Sequence, residues 1–295
     1  MKIYTCLCLL FLADYLVAQN NTSALLPMPN QITSVKGKPF TVRSGKTAIY
    51  LSQPELQFTA NTLQNILSDR MQVEIPLASE SDRADIRLLI DPAMEGNEHY
   101  RIEITSKRIT ISGATVRAVY YGVMTMDQLL LGDVCATTQK KISPVYVDDA
   151  PRFSHRALML DPARHFLPVN DVKFFIDQMA HYKYNILQLH LTDDQGWRVE
   201  IKKHPKLVGK DYYTQEQLAE IIQYAAQRNI EVIPELDIPG HTVAVLATYP
   251  ELGCTHTDTI QKIMGQTVDL MLCANNDKVY TVYDDIIKEI ADIFP

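Results

Sequence analysis

Apolar positions in the second half of the chain switch between two periods. Val172, Phe175, Ile176 and Met179 recur at i, i+3, i+4 and i+7, the spacing of one helical face, between two short apolar runs at residues 157–160 and 186–191. The order is strand, amphipathic helix, strand. A second unit follows: Thr214 with Gln217 has the form of a capping box, Leu218, Ile221, Ile222 and Ala225 make a buried stripe ending near Asn229, and residues 231–236 read as a strand. Residues 242–249 read as a short extra helix. Val279, Val282, Tyr283, Ile286, Ile290 and Ile293 mark a further amphipathic helix.

The first half is patterned differently. Residues 48–51, 73–75 and 86–90 read as strands, and Leu56, Ala60, Leu63 and Leu67 as the stripe of a helix introduced by Pro54. Residues 101–112 alternate Ile102, Ile104, Ile109 and Ile111 with polar residues about Ser106 and Lys107, a hairpin with one wet face. A second helix carries Val116, Val119, Tyr120 and Val123. The chain therefore divides into a leader over residues 1–18, an α+β domain over 19–150 without a cluster of chemical groups, and an α/β domain over 151–295. Residues 132–151, with the apolar run 142–147 and the turn-like Asp148, Asp149, Ala150 and Pro151, read as the linker.

Composition narrows the function. A net charge of −7 without a block of Lys or Arg lacks the footprint of a nucleic-acid binder. Lys2, the apolar run 6–13 and the approach to Ala18 form a secretory leader, which predicts export to the periplasm, cell surface or exterior. No other stretch is long and apolar enough to span a membrane. Of the five cysteines, Cys6 and Cys8 would leave with the leader, and Cys135, Cys254 and Cys273 remain. Their spacing matches no zinc motif, and neither a metal nor another cofactor is expected. Cys254 and Cys273 lie in loop-like sequence where a disulfide could form, the other reading being two unpaired buried thiols.

The ionisable groups cluster where strands end. Asp161, Arg164 and His165 follow the first strand of the second domain; His190, Asp193 and Asp194 end the next; Glu235, Asp237 and His241 end the third. In a parallel α/β barrel that edge builds the active site. The planar fork of Arg164 suits sugar hydroxyls or a carboxylate, its structural alternative being a salt bridge to Asp161 or Asp193. An Asp beside a His fixes its tautomer and orientation. Glu235 reads either as facing a ligand or as the partner of a neighbouring strand. Trp197, the only tryptophan, reads either as a face for a sugar ring or as a hydrophobic plug, and Tyr212 and Tyr213 as packing. A metal-dependent hydrolase using His190, Asp193, Asp237 and His241 is a rival reading, and a non-enzymatic sugar-binding protein another.

RALMLDPARHFLP, NILQLHLTDDQGWRVEIKKHPKL, EVIPELDIPGH and LCANND, in this order from about Arg152 to Pro295, resemble the landmarks of the family 20 glycoside hydrolases, the β-N-acetylhexosaminidases. The resemblance implies a (β/α)8 TIM barrel, of which these residues supply about three βα units, behind the family's non-catalytic α+β domain. It implies removal of terminal β-linked N-acetylglucosamine or N-acetylgalactosamine from glycans or chito-oligosaccharides, the sugar's acetamido oxygen attacking the anomeric carbon. Arg164 would hold sugar hydroxyls with its guanidinium unconsumed by carboxylates. Asp193 and His241, within hydrogen-bond reach of each other, would tune the general acid, and Asp237 would support the site. The Asp-Glu pair that supplies the acid is expected after a fourth strand, beyond Pro295, so residues 1–295 are expected to be inactive alone. The loop after Leu207 is shorter than the family pattern.

Overall fold

The computed structural model describes residues 25–132, 140–254 and 271–294. The leader, Cys6, Cys8, Cys135 and part of the predicted linker lie outside them, as does most of the loop after Cys254. The chain divides into two compact units, residues 1–152 and 153–295.

The first unit is built on strands β1 (Gln31–Ser34), β2 (Phe40–Thr41), β3 (Ile49–Leu51), β4 (Ile86–Ile90), β5 (Tyr100–Ile104), β6 (Ile109–Gly113), β7 (Lys141–Ile142) and β8 (Val145–Asp149). Its helices are α1 (Gln57–Met71) and α2 (Val116–Gly132). Six strands form one mixed sheet in the order β1-β8-β5-β6-β4-β3, and β2 pairs with β7. In the predicted hairpin, Ile102, Ile104, Ile109 and Ile111 are buried, while Arg101, Glu103 and Thr110 on the alternate positions are more accessible. Gly122 lets α2 approach this sheet, since a Cβ there would sit 2.5 Å from Cγ2 of Ile111.

Two expectations are corrected. The predicted linker contains β7 and β8, and β8 lies inside the sheet between β1 and β5. Val145, Val147 and Asp149 are buried, and the phenol of Tyr100 donates to Oδ2 of Asp149 at 2.6 Å, so the acidic end that looked turn-like is satisfied internally. Residues 73–75 form no strand. Val73 and Ile75 are buried in coil, and the chain touches β3 through the Ile49↔Leu77 bridge alone, because Pro76 between them has no N–H to extend a ladder.

The second unit runs β9 (Ala157–Leu160), α3 (Val169–His181), β10 (Ile186–Asp193), β11 (Gly196–Trp197), α4 (Gln215–Gln227), β12 (Glu231–Leu236), α5 (Val243–Thr248) and α6 (Asp277–Ile293). β10 is central. It pairs in parallel with β9 and β12 and antiparallel with β11 at its end. Among the described residues, β9 and β12 each keep one edge without a strand partner, and Met159 and Ile233 on them are exposed. Val172, Ile176 and Met179 of α3 and Leu218, Ile221 and Ala225 of α4 are buried, as their periodicity requires. The capping box of α4 is formed: Oγ1 of Thr214 accepts from the Gln217 N–H at 3.2 Å, and Oε1 of Gln217 accepts from the Thr214 N–H at 3.0 Å. No described helix is long and apolar enough to cross a membrane.

Candidate active site

The ends of β9, β10 and β12 meet at one carboxylate. Asp193, the last residue of β10, has a side chain only 1% exposed. Its Oδ2 lies 2.6 Å from Nη2 of Arg164 and 3.0 Å from Nε2 of His190, and its Oδ1 lies 3.3 Å from Nδ1 of His241. The Asp194 N–H donates to the same Oδ1 at 2.6 Å. Burying a carboxylate costs several kcal/mol unless it is paired and hydrogen-bonded, and here His190 and the Asp194 N–H hydrogen-bond to it while Arg164 and His241 stand within ion-pair distance.

The strand geometry explains how His190 reaches Asp193. Side chains alternate along a regular strand, so residues three apart point to opposite faces. The ladder between β10 and β12 steps from His190↔Glu235 to Thr192↔Leu236, leaving Leu191 as an extra residue. This bulge brings His190 and Asp193 together. No pattern of apolar and polar residues announces the bulge; the dyad expected from sequence joined Asp193 to His241, with His190 only its neighbour along the chain and its co-ligand in the metal reading.

On the next loop, Asp237 donates its N–H to Oγ1 of Thr192 at 3.0 Å, tying the end of β12 to β10. His241 has a half-exposed side chain and a left-handed backbone, φ 54°. Such a conformation is uncommon outside glycine and clusters at functional sites. Asp194 is occupied as a cap, its Oδ1 accepting the Val243 N–H at the start of α5 at 3.1 Å.

These contacts set the charges. Burial opposes ionisation of Asp193, but the hydrogen bond from His190, the Asp194 N–H and the charges of Arg164 and His241 outweigh it and lower its pKa. Burial likewise opposes charge on His190, and its contacts with Asp193 and then Glu235 overcome this and raise its pKa. Arg164 is held as a cation by Asp161 first and by Asp193.

The structure settles several alternatives left open above. Arg164 is not unconsumed: Nη1 donates to Oδ2 of Asp161 at 2.6 Å while Nη2 contacts Asp193, because both carboxylates lie at adjacent strand ends within reach of one planar fork. Its side chain is still 42% exposed. Glu235 is the partner of a neighbouring strand, accepting from Nε2 of Gln188 and lying with Oε1 3.1 Å from Nδ1 of His190, out of line for a hydrogen bond. Trp197 is a plug: it is 2% exposed and its indole N–H donates to the Val199 carbonyl at 2.7 Å, so its ring offers no face to a sugar. Tyr213 is buried and donates to the Leu167 carbonyl, as packing requires, whereas Tyr212 joins Phe166, Lys210 and Asp211 around a recess of about 250 Å³. His165 is exposed and stands outside the carboxylate network.

Arg198 was not singled out by sequence. Its Nε and Nη2 donate to the carbonyls of Pro162 and Ala163, and Nη1 to that of Asp211, each at 2.9 Å. It therefore holds the residues immediately before Arg164. Two groups have the ligand types of a metal site within 4.8 Å, His190 with Asp193 and Asp237, and Asp193 with Asp194 and His241. Asp193 belongs to both, and in the first group its Oδ2, beside His190, already faces the Arg164 cation, which a metal ion there would have to displace. At that group this favours a network of organic charges over the metal-hydrolase reading.

Residues 153–295 match the model for the glycosyl hydrolase family 20 catalytic domain, and residues 22–150 that for glycosyl hydrolase family 20, domain 2. The chain belongs to glycosyl hydrolase family 20, and its second unit is the first part of that family's TIM barrel. A β-hexosaminidase of Porphyromonas gingivalis is 36% identical over 92% of this chain and 37% of its own length. One from Vibrio furnissii is 33% identical over 93% of this chain and 47% of its own length. Among solved structures, a Streptomyces plicatus β-hexosaminidase mutant in complex with the product GlcNAc is 32% identical, with a TM-score of 0.82 over 93% of this chain and 57% of that one. The chain thus spans about two fifths to just under half of these two relatives' length.

Proposed function

We propose that this chain is the N-terminal part of an exo-acting β-N-acetylhexosaminidase that removes terminal β-linked N-acetylglucosamine or N-acetylgalactosamine by substrate-assisted, retaining hydrolysis. The observation that carries the reading is the convergence of Arg164, His190 and His241 on the buried Asp193 at the strand ends of a family 20 chain. Arg164 has five N–H donors and directs two contacts at Asp161 and Asp193, so others remain for sugar hydroxyls. Asp193 fixes the orientation of His241, and together they set the charge around the proton donor. Asp237, anchored through its N–H, supports the same pocket.

Residues 1–295 supply recognition and positioning in this proposal, and the acid that protonates the leaving oxygen comes from the Asp-Glu pair on a later strand. General-acid assistance is typically worth about 10²- to 10⁴-fold, so these residues alone should turn over little or no substrate. Export is part of the reading and rests on Lys2 and the apolar run 6–13. The deciding experiment compares residues 19–295 with a version extended through the next strands, on a chromogenic β-N-acetylglucosaminide. Turnover by the extended form alone is expected. Comparable turnover by both would refute the assignment of the acid, and none by either would refute the activity.

A further inference from the structure

Cys254 and Cys273 stand beside each other outside the carboxylate network. Neither is in a disulfide, and Cys254 is exposed. An antiparallel bridge between Gly253 and Leu272 and the Cys273 N–H donated to the Leu252 carbonyl at 2.8 Å pin the two backbones side by side. The two thiols are close enough to perturb each other's ionisation, each shifting the pKa of the other. The bridge puts the two cysteines on adjoining positions of paired backbones, a placement from which a disulfide can be reached and which two distant cysteines lack.

We propose that Cys254 and Cys273 form a disulfide that fastens the segment beginning at Met271 to the loop carrying Asp237 and His241. The link to that loop is direct: the Leu272 N–H donates to the Pro239 carbonyl at 2.9 Å, two residues before His241. On the other side, Nδ2 of Asn276, the residue that caps α6, donates to the Glu251 carbonyl at 2.8 Å. A covalent bond at this crossing would keep both contacts in register.

The chemistry has a defined direction. The neighbouring Cys254 thiol first, and then the Asn275 N–H, lower the pKa of Cys273, while Cys273 raises that of Cys254. In the proposed exchange Cys273 supplies the attacking thiolate. It attacks a sulfur of an external disulfide oxidant, such as glutathione disulfide or a dithiol-disulfide oxidoreductase, and one oxidant thiolate leaves. Cys254 then loses its proton and attacks the Cys273 sulfur, expelling the second oxidant thiolate. Two protons are released, and two electrons pass from the cysteine pair to the oxidant.

The test needs no activity, so its outcome is separate from that of the proposed hydrolysis. The full chain is equilibrated folded with a mixture of reduced and oxidised glutathione, alkylated without reduction, digested and mapped by mass spectrometry. The expected result is a linked Cys254–Cys273 peptide pair, unlabelled until a reductant is added, and loss of selective pairing when the same treatment is made in denaturant. Cys254→Ser should leave Cys273 alkylated or carrying glutathione. Alkylation of both residues in the oxidised folded chain, or pairing of either with Cys135, would overturn the proposal, as would pairing no more selective than in denaturant.

Discussion

Gly196→Ala offers a sharp test of how the Arg164 loop is held. A Cβ at position 196 would lie 2.4 Å from Cζ, 2.5 Å from Nη2 and 2.7 Å from Nε of Arg198. The backbone tolerates alanine, so the cost falls on the guanidinium, which must swing away. It would then forfeit three hydrogen bonds to the carbonyls of Pro162, Ala163 and Asp211, and its place 5.8 Å from the Phe166 ring. Hydrogen bonds from a charged donor contribute roughly 1.5–3 kcal/mol each; solvent can reach this side chain, so about 1 kcal/mol apiece is the sounder figure, and about 3 kcal/mol in all. Arg198→Met removes the same bonds by another route and should cost a similar amount. The double variant should then cost about 3 kcal/mol rather than about 6, a coupling measurable by denaturant unfolding in a double-mutant cycle. Hydrogen exchange should quicken in residues 161–168 in all three variants. Additive costs, or Gly196→Ala within about 0.5 kcal/mol of the parent, would refute the idea that Gly196 exists to make room for Arg198.

Two further outcomes follow from the site and its scaffold. Because the pKa of His190 is raised in the fold, its stabilising contribution is complete below its ordinary value of 6.5 and is lost as pH rises through the higher folded value; that of Asp193, lowered from 3.8, is present above that pH and is lost as it falls through the folded value. His190→Gln should therefore flatten the alkaline fall in stability in a pH series of thermal melts, and an unchanged slope above pH 6.5 would sink the assignment. Thr214→Ala removes one half of the α4 capping box and should cost about 1 kcal/mol in denaturant unfolding, with Thr214→Ser restoring most of it; equal stability of all three would show the cap to be idle.

Much of this architecture was legible because burial enforces periodicity. The stripes of α1, α3, α4 and α6 and the alternation of β5 and β6 follow directly from which side faces the core. β8 was hidden by its own chemistry. Its sequence VYVDD alternates correctly, yet the acidic pair before Ala150 and Pro151 resembles a turn, and it takes the Tyr100 phenol and the Asn30 N–H, both distant in sequence, to make a buried Asp149 tolerable. At the site, the strand ends announced Arg164, Asp193, Asp237 and His241, since chemistry gathers at the carboxyl edge of parallel strands. The closeness of His190 to Asp193 was not readable, because a bulge breaks the period on which such reasoning depends. Trp197 shows the same limit, since only the fold decides whether a lone aromatic faces solvent or core.

The arrangement around Asp193 makes three strand ends interdependent. Its Oδ2 is shared by Arg164 from the β9 loop and His190 from β10, and its Oδ1 by His241 from the β12 loop and the Asp194 N–H. A carboxylate so deeply buried is stable only while these partners stay. Removing the charge with Asp193→Asn would leave a buried His190 and one arm of Arg164 uncompensated, a cost of about 3 kcal/mol by the measure of broken buried pairs. The same coupling acts within the proposed catalytic cycle. Under the proposed function, a sugar hydroxyl that drew on Arg164 would compete with Asp193 for the guanidinium. His241 has a left-handed backbone conformation on a loop tied to Leu272 through Pro239. Arg164, His190 and His241 are thus one electrostatic unit whose centre is Asp193.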